Sequence, residues 1–372
     1  MENPAAWLSL KQVPGIGNLL FKRLIDHFQH PDQVLTAPEK SLTRVEGITV
    51  RLAQAIARHR PSEKIQRELD RIEQSGYQLV TLHHPSYPPL LREIPDPPPV
   101  LYVHGTLPVH TDSIAVVGSR NATQYGLETT RSLCRELALA GICVVSGMAV
   151  GIDTAAHEGA LAAGGKTVAV LGSGLNRIYP RENQRLFDQI AETGAVVSEL
   201  ALDTGPDAPH FPARNRIISG MSLGTVVAEA AKRSGSLITA RLAGEQNREV
   251  FAIPGSIRSF KSSGTHALIK QGAKLVEHVR DILEELPPSQ WRSTEPGPTS
   301  KPGSQPETDL TEQEARIMGI MEPYPIHIDI LARKANLPPA VASGALLTLE
   351  LKGLINQMPG KWFVLKADSH KK

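Results

Sequence analysis

The chain of 372 residues is poor in aromatic rings, in cysteine and in net charge. Phe, Tyr and Trp together make up 4% of it, which leaves little material for a broad base-stacking platform. Its two cysteines, Cys134 and Cys143, lie in apolar stretches. Two thiols build neither a disulfide framework nor, by themselves, a four-ligand zinc site, and so little thiol points to a reducing compartment. The 13 histidines are scattered without metal-ligand spacing, so neither a metal nor another cofactor is expected. No apolar run reaches the ~18 residues of a membrane span. The start, Met1-Glu2-Asn3-Pro4, lacks a basic segment followed by an apolar one. The expectation is a soluble, cytoplasmic protein with no membrane partner. With 40 Lys and Arg against 38 Asp and Glu, a net charge of +2 neither requires nor excludes nucleic acid.

What is present is ordinary globular material: 41% hydrophobic and 21% charged residues, enough chain for two or three domains with real cores. Bulk disorder and collagen-like or coiled-coil chains are excluded. Residues 1–80 read as helical, with apolar residues at helix spacing in Leu19, Leu20, Leu24, Ile25 and Phe28 and again in Leu52, Ala53 and Ile56. Val13-Pro14-Gly15-Ile16-Gly17 and Val45-Glu46-Gly47-Ile48-Thr49 look like helix-hairpin-helix (SAM-like) turns. Such turns either present backbone N–H groups to a DNA phosphate or serve compact packing, and Glu46 opposes a phosphate. Residues 81–112 read as a proline-rich connector, in which the prolines between Tyr87 and Pro99 exclude regular structure. Residues 113–286 alternate apolar strand-like runs with helical stretches, the pattern of βαβ units in a Rossmann-like parallel sheet. Residues 287–309, rich in Pro, Ser and Gly, read as a linker. Residues 310–366 follow the order helix, helix, helix, β-ribbon of a winged helix. Helix three carries Ala340, Val341, Ala342, Ser343 and Ala345 and offers few groups to read bases, so a protein–protein module is an equal reading. The fold class expected is α/β: a Rossmann-like parallel-sheet core with an N-terminal helical domain and a C-terminal winged-helix domain.

The strand ends of the core carry the chemistry. They hold Gly118-Ser119-Arg120, Ser146-Gly147, Gly172-Ser173-Gly174, the block Phe211-Pro212-Ala213-Arg214-Asn215-Arg216, and Ser234-Gly235-Ser236. Glycine lets a backbone approach an anion, helix starts point N–H groups at it, and arginine adds a planar fork suited to phosphate. Several such loops on one sheet edge suggest several phosphates. Neither Gly-x-Gly-x-x-Gly after the first strand nor Gly-x-x-x-x-Gly-Lys-Ser/Thr is present, which removes the dinucleotide and P-loop readings. No Gly-x-Ser-x-Gly elbow surrounds Ser146. His157, one turn after Asp153, reads as a helix-face pair more than a catalytic dyad.

Taken in order, these blocks resemble the DNA-processing protein A family (DprA/Smf), and the resemblance extends through Tyr179-Pro180, Ser234-Gly235-Ser236-Leu237-Ile238-Thr239-Ala240 and Ile253-Pro254-Gly255. It implies a non-enzymatic protein that binds single-stranded DNA, protects incoming strands in natural transformation, and loads the RecA recombinase onto strands coated by single-strand-binding protein. It also implies a homodimer formed largely through the Rossmann region. Carried over by residue, the resemblance implies phosphate contacts at Gly118, Ser119, Arg120, Ser146, Gly147, Arg214, Asn215, Arg216, Ser234, Gly235 and Ser236, and a base contact at Phe211. Where some members carry a lysine before the Phe-Pro block, this chain has Asp207-Ala208-Pro209-His210, which loses a basic contact and brings in a titratable one. Two other readings compete. Gly224-Thr225 followed by Glu229 loosely resembles the ribose-handling loop of phosphoribohydrolases, which would make the chain a nucleotide-processing enzyme. A sequence-specific regulator acting through the winged module is the other.

Overall fold

The computed structural model describes residues 3–286, 310–321 and 325–365. The 287–309 linker expected above lies outside them. The chain divides into two compact units, Met1–Ser293 and Thr294–Lys372.

The first unit is built on one sheet of nine strands. These are β1 (Gln78–Thr81), β2 (Val100–Gly105), β3 (Ser113–Val117), β4 (Cys143–Ser146), β5 (Thr167–Val170), β6 (Ala195–Ser198), β7 (Gly224–Val227), β8 (Glu249–Ala252) and β9 (Lys274–Leu275). Their order is β1-β2-β6-β5-β4-β3-β7-β8-β9. From β3 to β9 every pairing is parallel, with Val145 opposite Val168 and Val116 opposite Val226. The chain steps outward from β3 to β6, returns, and steps outward the other way from β7. The reversal leaves a crevice between the carboxyl ends of β3 and β7, where doubly wound sheets bind ligands.

The central strands are buried on both faces, which is why they read as unbroken apolar runs. Side chains alternate across the sheet. Ile114 and Val116 join one apolar cluster, beneath the Gln124–Leu139 helix, while Ala115 and Val117 join another. That second cluster runs without a break into Trp7, Phe21, Leu24 and Ile25 of the N-terminal helices. The helices expected as a domain of their own therefore share their core with the sheet. The two hairpin turns pack against each other reciprocally. Gly15 and Gly47 have φ of +89° and +86°, and a Cβ on either would strike Leu52 or Leu20 at the same position of the other hairpin. Arg23 donates to the carbonyl of Glu46 and pairs with its carboxylate at 3.5 Å.

The proline-rich stretch departs from expectation. Residues 81–112 are not a mere connector: they contain the Pro89–Glu93 helix and β2, and β2 pairs antiparallel with β1 and β6. Prolines sit at the start of that helix, where no N–H is needed, and β2 begins just after Pro99. Tyr87 is fully buried and its hydroxyl donates to the Pro98 carbonyl at 2.8 Å. The sheet is thus mixed at one edge.

The second unit has the winged-helix order, with helices Glu312–Met318, Ile328–Ala335 and Pro339–Leu351. Its strands β10 (Ile326–His327), β11 (Ile355–Met358) and β12 (Trp362–Leu365) pair in the order β10-β12-β11. The two-residue β10 is too short to show in the apolar pattern. Ile317, Leu331, Leu346, Leu349 and Phe363 form its core. The Thr311 hydroxyl and the Glu314 carboxylate cap the first helix reciprocally, and Lys352 donates to Glu314 at 2.7 Å. Among the described residues no helix is long and apolar enough to cross a membrane.

A polar node joins the N-terminal helices to the sheet. Arg216 donates to the Glu199 carboxylate and pairs with Asp96 at 3.1 Å. The Glu199 backbone carbonyl accepts from the half-buried Lys11 ammonium, and its carboxylate accepts from Asn18 at 3.3 Å. Removing one partner of a buried pair leaves an uncompensated charge, at a cost of about 3 kcal/mol or more. Arg216→Ala is therefore expected to lower the melting temperature clearly, while Arg216→Ala with Glu199→Gln recovers part of the loss. A single mutant melting like the native chain would contradict this.

Candidate nucleic-acid interface

The crevice at the carboxyl ends of β3 and β7 opens into a cleft of about 810 Å³. Its first wall is the loop after β3. Ser119 N–H donates to the Glu229 carbonyl at 2.8 Å, and the Glu229 carboxylate accepts from the backbone N–H of Thr123 at 3.1 Å and from its hydroxyl at 2.5 Å. The Thr123 hydroxyl in turn accepts from Gly126 N–H and caps the Gln124–Leu139 helix. With its backbone fixed in this way, the loop leaves Arg120 exposed.

The floor is set by the His210–Gly220 helix. Arg214, 4% exposed, donates to the carbonyl oxygens of Gly147 and Val170, at the ends of β4 and β5. Burial pulls its pKa down to about 10, against the attraction of Asp153, so it is charged at neutral pH. Burial raises the Asp153 carboxyl, and Arg214 opposes that most strongly. One helical turn before Arg214, Phe211 rests on Gly172, and the Arg120 guanidinium lies 5.2 Å from the Phe211 ring centroid. Tyr179, 45% exposed, leans on the same ring at 5.7 Å. Across the cleft, Ser234-Gly235-Ser236 opens the Ser236–Glu245 helix, the two hydroxyls 2.8 Å apart, with Arg233 exposed beside them.

Of the residues singled out from the sequence, Gly118, Ser119, Arg120, Phe211, Arg214, Asn215, Ser234, Gly235 and Ser236 all line this cleft. Three do not. Ser146 is fully buried and its hydroxyl donates to the Val116 carbonyl at 2.7 Å, tying β4 to β3. Gly147 lies beneath Arg214. Arg216, on another face of the helix, is held by Glu199 and Asp96, and its remaining nitrogen, Nη1, is buried away from the cleft.

The glycines also serve a different purpose from the one expected. A Cβ on Gly118 would strike Ile152 at 2.6 Å, on Gly147 the Arg214 guanidinium at 2.5 Å, and on Gly172 the Phe211 ring at 2.8 Å. These glycines make room for the protein's own side chains, which then shape the cleft. Gly235 alone among the cleft-lining glycines has nothing within 4 Å of such a Cβ. Its φ of −62° suits any residue, so neither packing nor backbone requires glycine there. Asp153 and Tyr179, named in the sequence without a contact assigned to them, and Arg233, which was not singled out, also line the cleft. The pair Lys232-Arg233 immediately before Ser234 was a readable signal; the leaning of Tyr179 onto Phe211 was not. His210, the titratable newcomer, donates from Nδ1 to the Gly205 carbonyl at 3.2 Å.

His157 and Asp153 do not work as a pair. The His157 ring is buried, with Nδ1 2.7 Å from the Thr167 hydroxyl oxygen. That hydroxyl gives its single proton to the Val144 carbonyl, so His157 Nδ1 carries the hydrogen and Nε2 is buried without a partner. No group of three or more His, Cys, Asp or Glu suited to a metal occurs among the described residues.

Comparison with known proteins bears on the family and the fold. The DNA recombination-mediator protein A family matches residues 78–287, and the DprA winged helix domain matches residues 301–361. The chain is 36% identical to Protein Smf of Synechocystis sp. over 96% of its own length and 97% of that protein. It is 42% identical to Protein Smf of Escherichia coli over 87% of each. Among solved structures, DNA processing protein A from Streptococcus pneumoniae is similar with a TM-score of 0.68 and 36% identity, over 78% of this chain and all of that one. The Helicobacter pylori DNA processing protein A, whose structure concerns a single-stranded DNA binding mode, is similar with a TM-score of 0.51 and 31% identity. That match covers 56% of this chain and 94% of the Helicobacter one.

Burial pushes the His157 pKa down to about 3 from the ordinary 6.5, with Arg214 adding to the fall. Between those values the unfolded chain takes a proton that the native ring refuses. Stability from this site is therefore complete above pH 6.5 and is lost by up to about 1.4 kcal/mol per pH unit below it. His157→Gln, which keeps a donor for Thr167 and cannot be protonated, is expected to flatten that acid limb in melting curves recorded from pH 7 to 4. An unchanged limb would mean that other groups govern it.

Proposed function

The chain belongs to the DNA recombination-mediator protein A (DprA/Smf) family, and we propose that it binds single-stranded DNA in the β3–β7 cleft without acting on it as an enzyme. In this reading it protects incoming strands during natural transformation and hands them, as a cytoplasmic homodimer, from single-strand-binding protein to the RecA recombinase. The observation that carries the strand-binding step is the open Gly235 at a helix start, facing Arg120 across a cleft with two leaning aromatic rings. A phosphate near Gly235 meets the Ser234 and Ser236 hydroxyls and the positive end of the helix, with Arg233 alongside. A base on the opposite side meets Tyr179 and the Arg120–Phe211 stack, contacts that every base can make. The fixed charge of Arg214 in the floor attracts the backbone without having to touch it.

The placement of the carboxylates weighs against hydrolysis. Glu229, the candidate ribose-handling residue, spends its carboxylate on Thr123, inside the wall. Asp153 is buried against Arg214. Neither is free to act as a base on a nucleotide.

Two measurements test the cleft. The native chain is expected to bind a labelled strand of roughly 35 nucleotides in preference to the matching duplex, with steep loss of affinity as salt rises. Arg120→Ala should weaken it about tenfold or more and reduce the salt slope by roughly one phosphate's worth. Gly235→Leu should melt like the native chain and bind about tenfold less tightly, because a side chain then occupies the approach path. Equal duplex binding, or a native-like Gly235→Leu, would move the site elsewhere. Deleting residues 310–372 is expected to leave strand binding largely intact.

A further inference from the structure

The loop after β8 leaves two large apolar side chains in solvent: Ile257 is 92% exposed and Phe260 73% exposed. It rises from the same sheet edge as the cleft, on the strand next to β7. The loop is not loose. Lys261 donates to the Asn121 carbonyl at 2.6 Å, and Asn121 lines the cleft next to Arg120. On its other side, Gly264 N–H donates to the Ala230 carbonyl at 2.7 Å, where a Cβ would strike the Ala230 and Ala231 backbone, and Ala231 also lines the cleft. Internally, Ser259 N–H and Ser262 N–H each donate to a carbonyl three residues back. The Phe260 ring is thus held out into water on a braced support that touches the cleft rim at two places.

Along this segment the charge has one sign. Between residues 250 and 276 there is no Asp or Glu, while Arg258 and Lys261 flank Phe260. An exposed ring between two cations, joined to a phosphate-binding cleft, suits a polyanion that also carries flat apolar faces. A ring on a braced backbone loses less freedom on binding than one on a loose loop.

We infer that Phe260, with Arg258 and Lys261, is a second base-stacking post that extends the single-strand track from the Arg120–Asn121 rim over the β8 loop. This rests on the strand-binding reading of the cleft and adds a contact outside it. A strand short enough to fill the cleft does not reach the post; a longer one stacks a base on Phe260 and sets phosphates against Arg258 and Lys261.

The test compares thymidine strands of roughly 5 and 20 nucleotides on the full chain, in its native form and as Phe260→Ala, Phe260→Trp and Arg120→Ala. Phe260→Ala is expected to lose roughly 5- to 100-fold in affinity for the long strand and nothing for the short one, the equivalent of one stacked base. Arg120→Ala should lose affinity for both. Phe260→Trp should bind the long strand at least as well as the native chain. Its added fluorescence should be quenched by the long strand and not by the short one. If Phe260→Ala binds both lengths like the native chain, or if the new tryptophan is not quenched, the post is wrong and the cleft stands. If the native chain binds neither strand, the cleft reading itself fails. If Phe260→Ala instead changes the mass measured by light scattering while its preference for long strands persists, the ring contacts a second copy and the proposal is overturned.

Discussion

The cleft depends on one buried cation. Arg214 reaches across the sheet edge and binds the carbonyl oxygens that end β4 and β5, so the His210–Gly220 helix cannot slide or turn on the strands beneath it. Charge-assisted bonds of this kind are each worth roughly 1.5–3 kcal/mol, and leaving a carbonyl bare would cost as much again. The orientation of that helix decides where Phe211 lies, Phe211 gives Arg120 a face to rest on, and Asn215 is carried to the rim. Gly147 is the counterpart: any side chain there would occupy the space of the guanidinium. The positive charge of the floor and the shape of the cleft thus come from the same contact.

This changes how a glycine-rich strand tip is read. At most of these tips glycine makes space for an internal neighbour, and the ligand-facing surface is what that neighbour creates. Gly235, where the protein's own packing asks for nothing, is the exception. Charge follows a similar rule. A net charge of +2 over the chain conceals a basic arc, from Arg233 past Arg120 to Lys261 and Arg258, next to a stretch of sequence without a carboxylate.

The rest of the first unit keeps this edge rigid. The N-terminal helices share the sheet's core, and Arg216, Glu199 and Lys11 fasten them to it. Glu229 does the same for the loop after β3, from inside the wall. Residues that would pass as ligand-binding by type are used here as struts, which leaves Arg120, Arg233 and Tyr179 exposed at the cleft.

By itself the sequence determined the parallel strands β3 to β9, the winged-helix order, the blocks that mark the family, and the edge of the sheet where they gather. These are written locally, in apolar runs buried on both faces, in helix periodicity and in glycine at strand ends. It did not reveal β1 or β2, because β2 directly follows a proline cluster and both exist through antiparallel pairing with segments outside the βαβ pattern. Nor did it separate Arg214 from Arg216. Two residues apart on one helix, they point about 200° apart around its axis. One therefore forms the floor of the cleft, while the other is locked to Glu199 and Asp96 at the boundary with the N-terminal helices. Which of two identical side chains faces a ligand is fixed by how the helix docks, and docking is a property of the assembled core.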